Sequence, residues 1–321
     1  MTLASAPGKV VLSGEYAVLD GAPAVCMATN RRARVSITSY EGDWHRVCAP
    51  GYSPVEGRFV SDAATLSWLQ GADEFRIVDA AWRTVGWDGK GHLSMELDTR
   101  AFVDDASGKK IGVGSSAALS VALVAALSES SDVLASAMLA HREFQQGLGS
   151  GVDIATSVTG GLIEYRMDGT TVSPLRWPEG LSYRLIWTGE PADTRTKLAR
   201  FEEAGRRSSR TALIAAAERM ATAWRSARTV MHEYPRYIEA LRKFSVDHDL
   251  GIFDAGHDQL ATAAAAAGLI YKPCGAGGGD VGILLGLSDG QLRDFLAATA
   301  TSRCHVLECT LDTNGVELER H

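Results

Sequence analysis

Apolar and polar residues follow two different periods along this chain, and the period changes from segment to segment. Alternation at residues 9–18 and 34–38 predicts strands, because successive strand side chains point to opposite faces of a sheet. The alanine- and leucine-rich stretch 115–127 predicts a buried helix. Residues 132–146 predict a second helix with Asp132 as its N-cap. The first half of the chain therefore mixes strands and helices.

The pattern is interrupted at residues 168–180, where Asp-Gly-Thr-Thr and Trp-Pro-Glu-Gly favour turns. We therefore predict an N-terminal domain over residues 1–178 and a C-terminal domain over residues 179–321. Elements are predicted on both sides of this boundary. They are a glycine turn that enters a strand within 160–165, a strand at 183–187, one or two long helices within 196–244, a helix at 257–267 and a strand at 306–311.

Three glycine-bearing segments separate these elements. They are Pro7-Gly8-Lys9 leading into Gly14-Glu15-Tyr16, then Gly112-Val113-Gly114-Ser115-Ser116-Ala117-Ala118, and finally Gly275-Ala276-Gly277-Gly278-Gly279-Asp280. The second segment opens a predicted helix, and the N–H groups of a helix N-terminus bind anions. Its two serines can cap that helix or offer hydroxyls to a metal ion carried by a phosphate. The segment matches neither a Walker A loop nor a Rossmann fingerprint.

The composition and net charge of the chain indicate which class of molecule it binds. The chain has 321 residues, enough for two domains, with 45% hydrophobic and 22% charged residues. A formal net charge of −7 argues against general nucleic-acid binding, so we expect small-molecule partners. Five cysteines without a CxxC pair predict neither a disulfide framework nor a zinc site.

The N-terminal residues carry no basic leader and no apolar stretch of the length that a secretory signal needs. The longest uncharged run, residues 111–128, begins with glycines and serines, which suits a loop entering a buried helix better than a membrane span. We expect a cytoplasmic protein that does not engage a membrane, as a monomer or a homodimer.

Taken together and in this order, the three glycine segments resemble the motifs of the GHMP kinase family of small-molecule kinases. The resemblance runs from Ala6 to about Leu285. It implies an α+β fold in which an N-terminal α/β domain and a C-terminal ferredoxin-like domain hold the active site between them. It also implies ATP as phosphoryl donor, Mg²⁺ as cofactor and a small molecule as acceptor.

The resemblance implies two catalytic residues. In the family, the lysine after the first Pro-Gly meets the aspartate of a Ser-Gly-x-Asp motif at the acceptor, and those positions are Lys9 and Asp153 here. A lysine can neutralise charge that develops on the transferred phosphoryl group. An ionised aspartate can accept the proton of an alcohol. An aspartate after a Gly-Ser turn also fits a helix cap, and the two roles can coexist.

The resemblance also implies residues that bind the two substrates. The ATP-binding residues implied are Lys110, Gly112, Val113, Gly114, Ser115, Ser116 and Ala117, with Ser115 and Ser116 also contacting the metal. The acceptor-binding residues implied are Lys9, Glu15, Tyr16, Ser150, Gly151, Gly277, Gly278 and Asp280. Arg195 and Lys197 are further acceptor-binding candidates, because a phosphate ester or carboxylate acceptor needs positive charge. Lys110 also fits a polar hairpin, and the third glycine segment also fits a purely structural turn. We assign no acidic metal ligand, because Glu143 is one residue out of step with the family spacing, and we interpret His141 as a packed or surface residue.

Within the family, several details are most similar to phosphomevalonate kinases. They are Tyr16 in the first segment, Lys110-Ile111 before the second, Gly149 before Ser150, the stretch Trp187-Thr188-Gly189, and Asp280. Val113, Gln146, Asp193 and the short chain depart from that pattern. The implied reaction is transfer of the γ-phosphoryl group of ATP to phosphomevalonate. Mevalonate kinase, a GHMP kinase acting on an alcohol of a sugar or hydroxy acid, and a non-catalytic ligand-binding homologue are the alternatives.

Overall fold

The computed structural model describes residues 1–62, 65–87, 91–128, 132–192, 196–197, 200–201, 208–299 and 305–321. Within these residues the chain forms two sheets and a set of helices. The strands are β1 (Thr2–Ser13), β2 (Ala24–Tyr40), β3 (His45–Ala49), β4 (Ser53–Asp62), β5 (Thr65–Gln70), β6 (His92–Asp98), β7 (Leu162–Arg166), β8 (Thr171–Leu175), β9 (Ser182–Trp187), β10 (Ile270–Pro273), β11 (Val281–Gly286), β12 (His305–Leu307) and β13 (Glu317–Arg320). The α-helices are α1 (Arg76–Val85), α2 (Ser115–Leu127), α3 (Val133–Phe144), α4 (Val152–Thr159), α5 (Ser208–Ala223), α6 (Ala227–Asp247), α7 (His257–Ala266) and α8 (Asp289–Thr299).

The larger sheet has the strand order β13-β1-β2-β6-β3-β4-β5, and β7 joins it by pairing with β2 and β8. The smaller sheet has the order β10-β11-β9-β12. The predicted boundary after residue 178 separates the strands of the two sheets except for β13, which returns from the end of the chain to pair with β1. The division into domains at that residue stays a prediction.

Helix α2 lies at the centre of the elements around the larger sheet, where it packs on β1 and β2 and contacts α3 and α4. Its bounds agree with the prediction, because nearly every residue of the helix is buried and the apolar run is continuous. The predicted N-cap of α3 is also confirmed, since the Asp132 side chain accepts a hydrogen bond from the N–H of Ala135. Because α2 and α4 both pack on β1, the second glycine segment and the Ser-Gly-x-Asp motif begin helices that lie on the same strand.

Two predicted strands have different bounds in the structure. The first ends at Ser13, and Ala17–Asp20 form a 3-10 turn instead. The chain bends there because Gly14 and Tyr16 have φ values of 91° and 59°, and a Cβ on Gly14 would lie 2.4 Å from the Pro23 carbonyl oxygen. At the other end, where a strand is predicted at 306–311, the strand is His305–Leu307, and Leu311 forms an isolated bridge with Thr29. Among the described residues, no helix combines the length and apolar content that crossing a bilayer would require.

Candidate active site

Strand β1 carries Lys9 to the loop that precedes α2. The N–H of Lys9 donates to the Val113 carbonyl at 2.8 Å. The preceding Gly8 permits this approach, since a Cβ there would lie 2.4 Å from the same carbonyl oxygen. The aliphatic part of Lys9 then runs past Gly114, where an added Cβ would lie 3.0 Å from Lys9 Cγ. The first and second glycine segments therefore pack directly together and place the lysine beside the start of a helix.

The start of α2 is a site for negative charge. Gly114 is the N-cap, with a left-handed φ of 84° and no side-chain capping bond. The first N–H groups of an α-helix have no acceptor within the helix, and the aligned peptide dipoles make this end positive. Ala118 is the residue whose N–H bonds back to the Gly114 carbonyl, at 3.1 Å. The N–H groups before it, together with the hydroxyls of Ser115 and Ser116, suit a phosphate chain.

The third glycine segment lies against the second through Asp280. A Cβ on Gly112 would lie 2.1 Å from Asp280 Cγ, so only glycine permits this contact. Asp280 itself has a φ of 56°. It is held by the N–H of Thr188, which donates to its carbonyl at 3.0 Å, and by the N–H of Ala192, which donates to its carboxylate at 3.1 Å. Asp280, predicted to contact the acceptor, thus lies against the second glycine segment. We call this segment the phosphate loop, after its predicted ligand.

Two ammonium groups and one carboxylate interact around this loop. Loss of hydration lowers the pKa of Lys110, Asp280 partly opposes that effect, and Lys9 adds to it. Burial raises the pKa of Asp280, whereas the Ala192 N–H, Lys110 and Lys9 lower it in part. With the helix N-terminus added, the balance of charge at the loop is positive, as a polyphosphate requires.

Asp153 is the second residue of α4. The N-cap of that helix is Gly151, which has a φ of 79°, so the alternative interpretation of Asp153 as the helix cap is wrong. Its carboxylate accepts from the N–H of Ile154 at 3.1 Å. Burial by itself raises the pKa of Asp153, but interactions with His141 and Lys9 and the Ile154 N–H outweigh it, and the pKa lies below its usual value. The carboxylate is therefore ionised at neutral pH.

Lys9 and Asp153 line one cavity of about 130 Å³. Tyr16 and Ser150 line it from the N-terminal half of the chain, and Gly275 and Ala276 close it from the C-terminal half. Gly277 and Gly278, which are also predicted to bind the acceptor, do not line this cavity and lie against Ile252. A Cβ on Gly277 would lie 2.5 Å from the Ile252 carbonyl oxygen, and the N–H of Gly278 donates to that oxygen at 2.7 Å.

A buried ion pair joins the two walls of this cavity. Lys272, on β10, is fully buried and forms an ion pair with Glu15. The Tyr237 hydroxyl donates to the other Glu15 oxygen at 2.6 Å and accepts from the N–H of Gly14 at 2.7 Å. The Tyr16 hydroxyl donates to the Ala276 carbonyl at 2.9 Å. Both carboxylate oxygens of Glu15, predicted to bind the acceptor, are thus engaged within the protein.

Of the two basic residues predicted to bind the acceptor from the C-terminal half, Lys197 and Arg195, the structure describes only Lys197. Lys197 donates to the carbonyls of Leu250 and Gly251 at 2.6 and 3.1 Å. Its ammonium lies close to Gly278, where an added Cβ would lie 2.2 Å from Nζ. Lys197 therefore supports the loop beneath the third glycine segment. Arg195 and the departure at Asp193 lie outside the described residues.

Several residues of the site were not predicted from the sequence. His257 lies under the third glycine segment, with Nε2 3.0 Å from the Gly279 carbonyl and Nδ1 2.9 Å from the Tyr271 hydroxyl. Burial lowers the pKa of His257 to about 4, so the ring is neutral, with Nε2–H donating and Nδ1 accepting. Lys272 had a visible signal, because it is a charged residue inside the otherwise apolar strand β10. His257 had none.

A second, more apolar cavity of about 240 Å³ lies beside the phosphate loop. Lys110, Ser115 and Ser116 form its polar edge. The apolar wall includes Tyr52, Phe75, Leu97, Leu119 and Phe144. Among the described residues, no group of three or more histidine, cysteine or acidic side chains is arranged to hold a metal ion.

No protein-family model matches the chain. Curated relatives do. The chain is 30% identical to a phosphomevalonate kinase from Streptomyces sp. (strain CL190), over 87% of this chain and 88% of that protein. It is 26% identical to a mevalonate kinase from Pyrococcus abyssi (strain GE5 / Orsay), over 99% and 98% of the two chains.

Solved structures have the same fold. A Lin0012 protein from Listeria innocua superposes with a TM-score of 0.84 at 20% identity, over the whole of both chains. A Streptococcus pneumoniae phosphomevalonate kinase in complex with phosphomevalonate and AMPPNP gives a TM-score of 0.81 at 18% identity, over 97% of this chain and all of that one. The predicted α+β kinase fold is confirmed, and the chain belongs to the GHMP kinase family.

Proposed function

We propose that the protein transfers the γ-phosphoryl group of ATP to phosphomevalonate. The observation that carries the proposal is the shared cavity of Lys9 and Asp153, which opens beside a helix N-terminus built to hold phosphates. The Streptomyces relative and the S. pneumoniae structure support the choice of acceptor, because both are phosphomevalonate kinases.

ATP would bind with its phosphates at the start of α2 and its base in the neighbouring apolar cavity. Aromatic side chains such as Tyr52 and Phe144 offer surfaces on which a base can stack. Lys110 lies between the two regions and contributes positive charge. The loop residues fit a nucleotide that carries its own metal, because the serine hydroxyls are oxygen ligands for the metal and the backbone N–H groups bind phosphate oxygens. We propose Ser115 and Ser116 as the contacts of Mg²⁺, which neutralises phosphate charge when bound.

Lys9 would hold the acceptor and the γ-phosphoryl group in line and stabilise the charge that develops during transfer. The acceptor oxygen forms the new P–O bond as the bond to ADP breaks, and ADP leaves. A phosphate monoester has a second pKa of about 6 and is largely a dianion at neutral pH, so no proton has to be removed. Asp153 then acts chiefly by orienting Lys9, whose charge it faces.

Glu15 and Lys272 would act as positioning residues. Their ion pair joins the turn after β1 to the strand that leads into the third glycine segment. They would fix the separation of the cavity walls, because Lys272 and Tyr237 already engage both carboxylate oxygens of Glu15.

One observation favours mevalonate as a second candidate acceptor. The Asp153 carboxylate is ionised and lines the cavity that it shares with Lys9, which we call the acceptor cavity. It could therefore accept the proton of an alcohol. The Pyrococcus relative is a mevalonate kinase.

The test is ADP release from Mg·ATP in the presence of phosphomevalonate, mevalonate or a panel of sugars. We expect turnover with phosphomevalonate at a kcat/KM at least tenfold above that for mevalonate. Preference for mevalonate would move the assignment to the second candidate. An absence of acceptor-dependent ADP release would favour a ligand-binding protein on this fold.

A further inference from the structure

A cavity of about 190 Å³ lies on the far side of the loop that carries Ser150. Its walls come from α3, from residues 147–151 and from β7. Gln145, Gly149 and Ser150 line both this cavity and the acceptor cavity. We refer to it as the loop cavity. A ligand in the loop cavity would therefore press on the same short segment that leads into Asp153.

The lining of the loop cavity combines apolar and polar side chains and carries no negative charge. Its charged or titratable members are Arg142, His141 and Tyr165, and no aspartate or glutamate lines it. Within the described part of the chain, Arg142 forms no ion pair. A guanidinium that lacks a carboxylate partner beside a concave surface is suited to bind a planar or tetrahedral oxyanion.

His141 supplies the second observation. Its residue is only 3% exposed, yet its Nε2 has no hydrogen-bond partner among the described residues. Buried polar atoms in native proteins are nearly always paired with protein, water or ligand. The same buried ring lines the loop cavity, so a group bound there is a candidate partner.

The loop itself offers backbone donors. In the described chain, the N–H groups of Gly149 and Ser150 donate to no protein acceptor, whereas Val152 N–H is taken by the Ser150 hydroxyl at 3.3 Å. Gly149 has a φ of 93°, and a Cβ there would lie 2.7 Å from the Gln145 amide oxygen. The Gln145 side chain thus lies over the loop at the boundary of the two cavities.

We propose that the loop cavity is a binding site for a small oxyanion, a carboxylate or phosphate group, held by Arg142 and His141. The site could be filled by the far end of the acceptor or by a separate anion. The first source rests on the proposed function, because it requires an acceptor with a second anionic group. In either case, the bound anion contacts the segment that leads into Asp153.

Binding is tested without turnover. Inorganic phosphate is titrated into protein labelled with ¹⁵N in its histidine rings, and the His141 resonance is assigned by its loss in His141→Asn. We expect that resonance to shift on saturation and the apparent Kd to rise at least tenfold in Arg142→Met. Arg142 is exposed, so this variant should fold normally. Arg76→Met, an exposed arginine of α1, is the matched control and should leave the Kd unchanged.

An unmoved His141 resonance, or a shift that Arg142→Met leaves intact, would overturn the proposal. Kinetics then identify the source of the anion. If phosphate competes with the acceptor and Arg142→Met raises the KM of the acceptor but not of ATP, the acceptor fills the site. If phosphate changes kcat without competing with the acceptor, and only when Arg142 is present, a separate anion fills it. Competition with ATP alone, equal in both variants, counts against the site. The titration result stands even if the protein uses an acceptor other than phosphomevalonate.

Discussion

At the scale of single residues, Lys9 combines a modest structural role with the central chemical role that we propose for it. Its backbone N–H bonds to Val113, and that bond survives any change of side chain. Its side chain is partly exposed and packs along Gly114 through its methylene groups. A change of the Lys9 side chain should therefore alter the reaction rate without a large effect on folding stability.

We expect Lys9→Met to lower kcat by roughly 10²-fold or more, because a preorganised charge at a transferring group contributes about 3 kcal/mol or more. Methionine keeps the aliphatic packing, so the Tm should change little. The measurement is kcat alongside thermal unfolding. A loss of stability with a near-normal rate per folded molecule would make Lys9 a structural residue.

Asp153→Asn distinguishes the two acceptor classes. With phosphomevalonate, the loss of kcat should be moderate and should not recover at high pH, since the acceptor needs no general base. With an alcohol, the loss should be about 10²-fold or more and should diminish as pH rises, because hydroxide ionises the alcohol instead. The check is a pH profile of kcat for the variant. We expect the first pattern, and a steep recovery would favour mevalonate.

At the scale of elements, the start of α2 should tolerate loss of its hydroxyls. The cap is Gly114, and neither serine makes a capping bond. Ser115→Ala/Ser116→Ala should weaken Mg·ATP turnover while leaving Tm unchanged or higher, since alanine has the higher helix propensity. Comparison of the KM for ATP with that for the acceptor locates the defect. Unchanged ATP turnover would contradict the role of this loop.

The β10–β11 turn that contains the third glycine segment depends on a neutral histidine. The pKa of His257 is about 4, below its usual 6.5, so the unfolded chain binds a proton that the folded chain rejects. Stability from this group is complete above pH 6.5 and is lost as pH falls toward 4. The loss is at most about 3 kcal/mol. His257→Gln should flatten the pH dependence of the free energy of unfolding across this window and should also lower activity.

His45 provides a matched comparison for that experiment. Its pKa is also lowered to about 4 by burial and by His92, but it lies in β3, where its Nδ1 accepts from the Leu93 N–H at 3.0 Å. His45→Gln should flatten the pH dependence of stability to a similar degree while leaving kcat per folded molecule unchanged. Equal effects on activity in the two variants would show that His257 has no special relation to the site.

At the scale of the whole molecule, the Glu15–Lys272 ion pair links two segments that lie 257 residues apart in sequence. Lys272→Met should cost about 3–5 kcal/mol in the free energy of unfolding, because it leaves Glu15 buried without its partner. Glu15→Gln/Lys272→Met should recover most of that loss, since no isolated charge remains. Denaturant unfolding of the two variants checks this, and additive losses would show that the two residues do not interact.

Local pattern was sufficient for much of the fold. The continuous apolar run after Gly114 and the acidic cap before Val133 specify α2 and α3 because helix formation depends on neighbours three and four residues away. The bend at Gly14 and Tyr16 was missed, since the apolar alternation continues through it and only contact with Pro23 reveals it.

The sequence by itself determined which residues could hold phosphate and carry out its transfer, because those motifs are local in the chain. Only the tertiary structure decided what surrounds them. In the folded protein, Glu15 is paired with Lys272 and Tyr237. Gly277 and Gly278 pack against Ile252 and Lys197 rather than lining the acceptor cavity, and His141 lines the loop cavity behind Ser150. Such pairings depend on side-chain packing between distant segments, and no local periodicity encodes them.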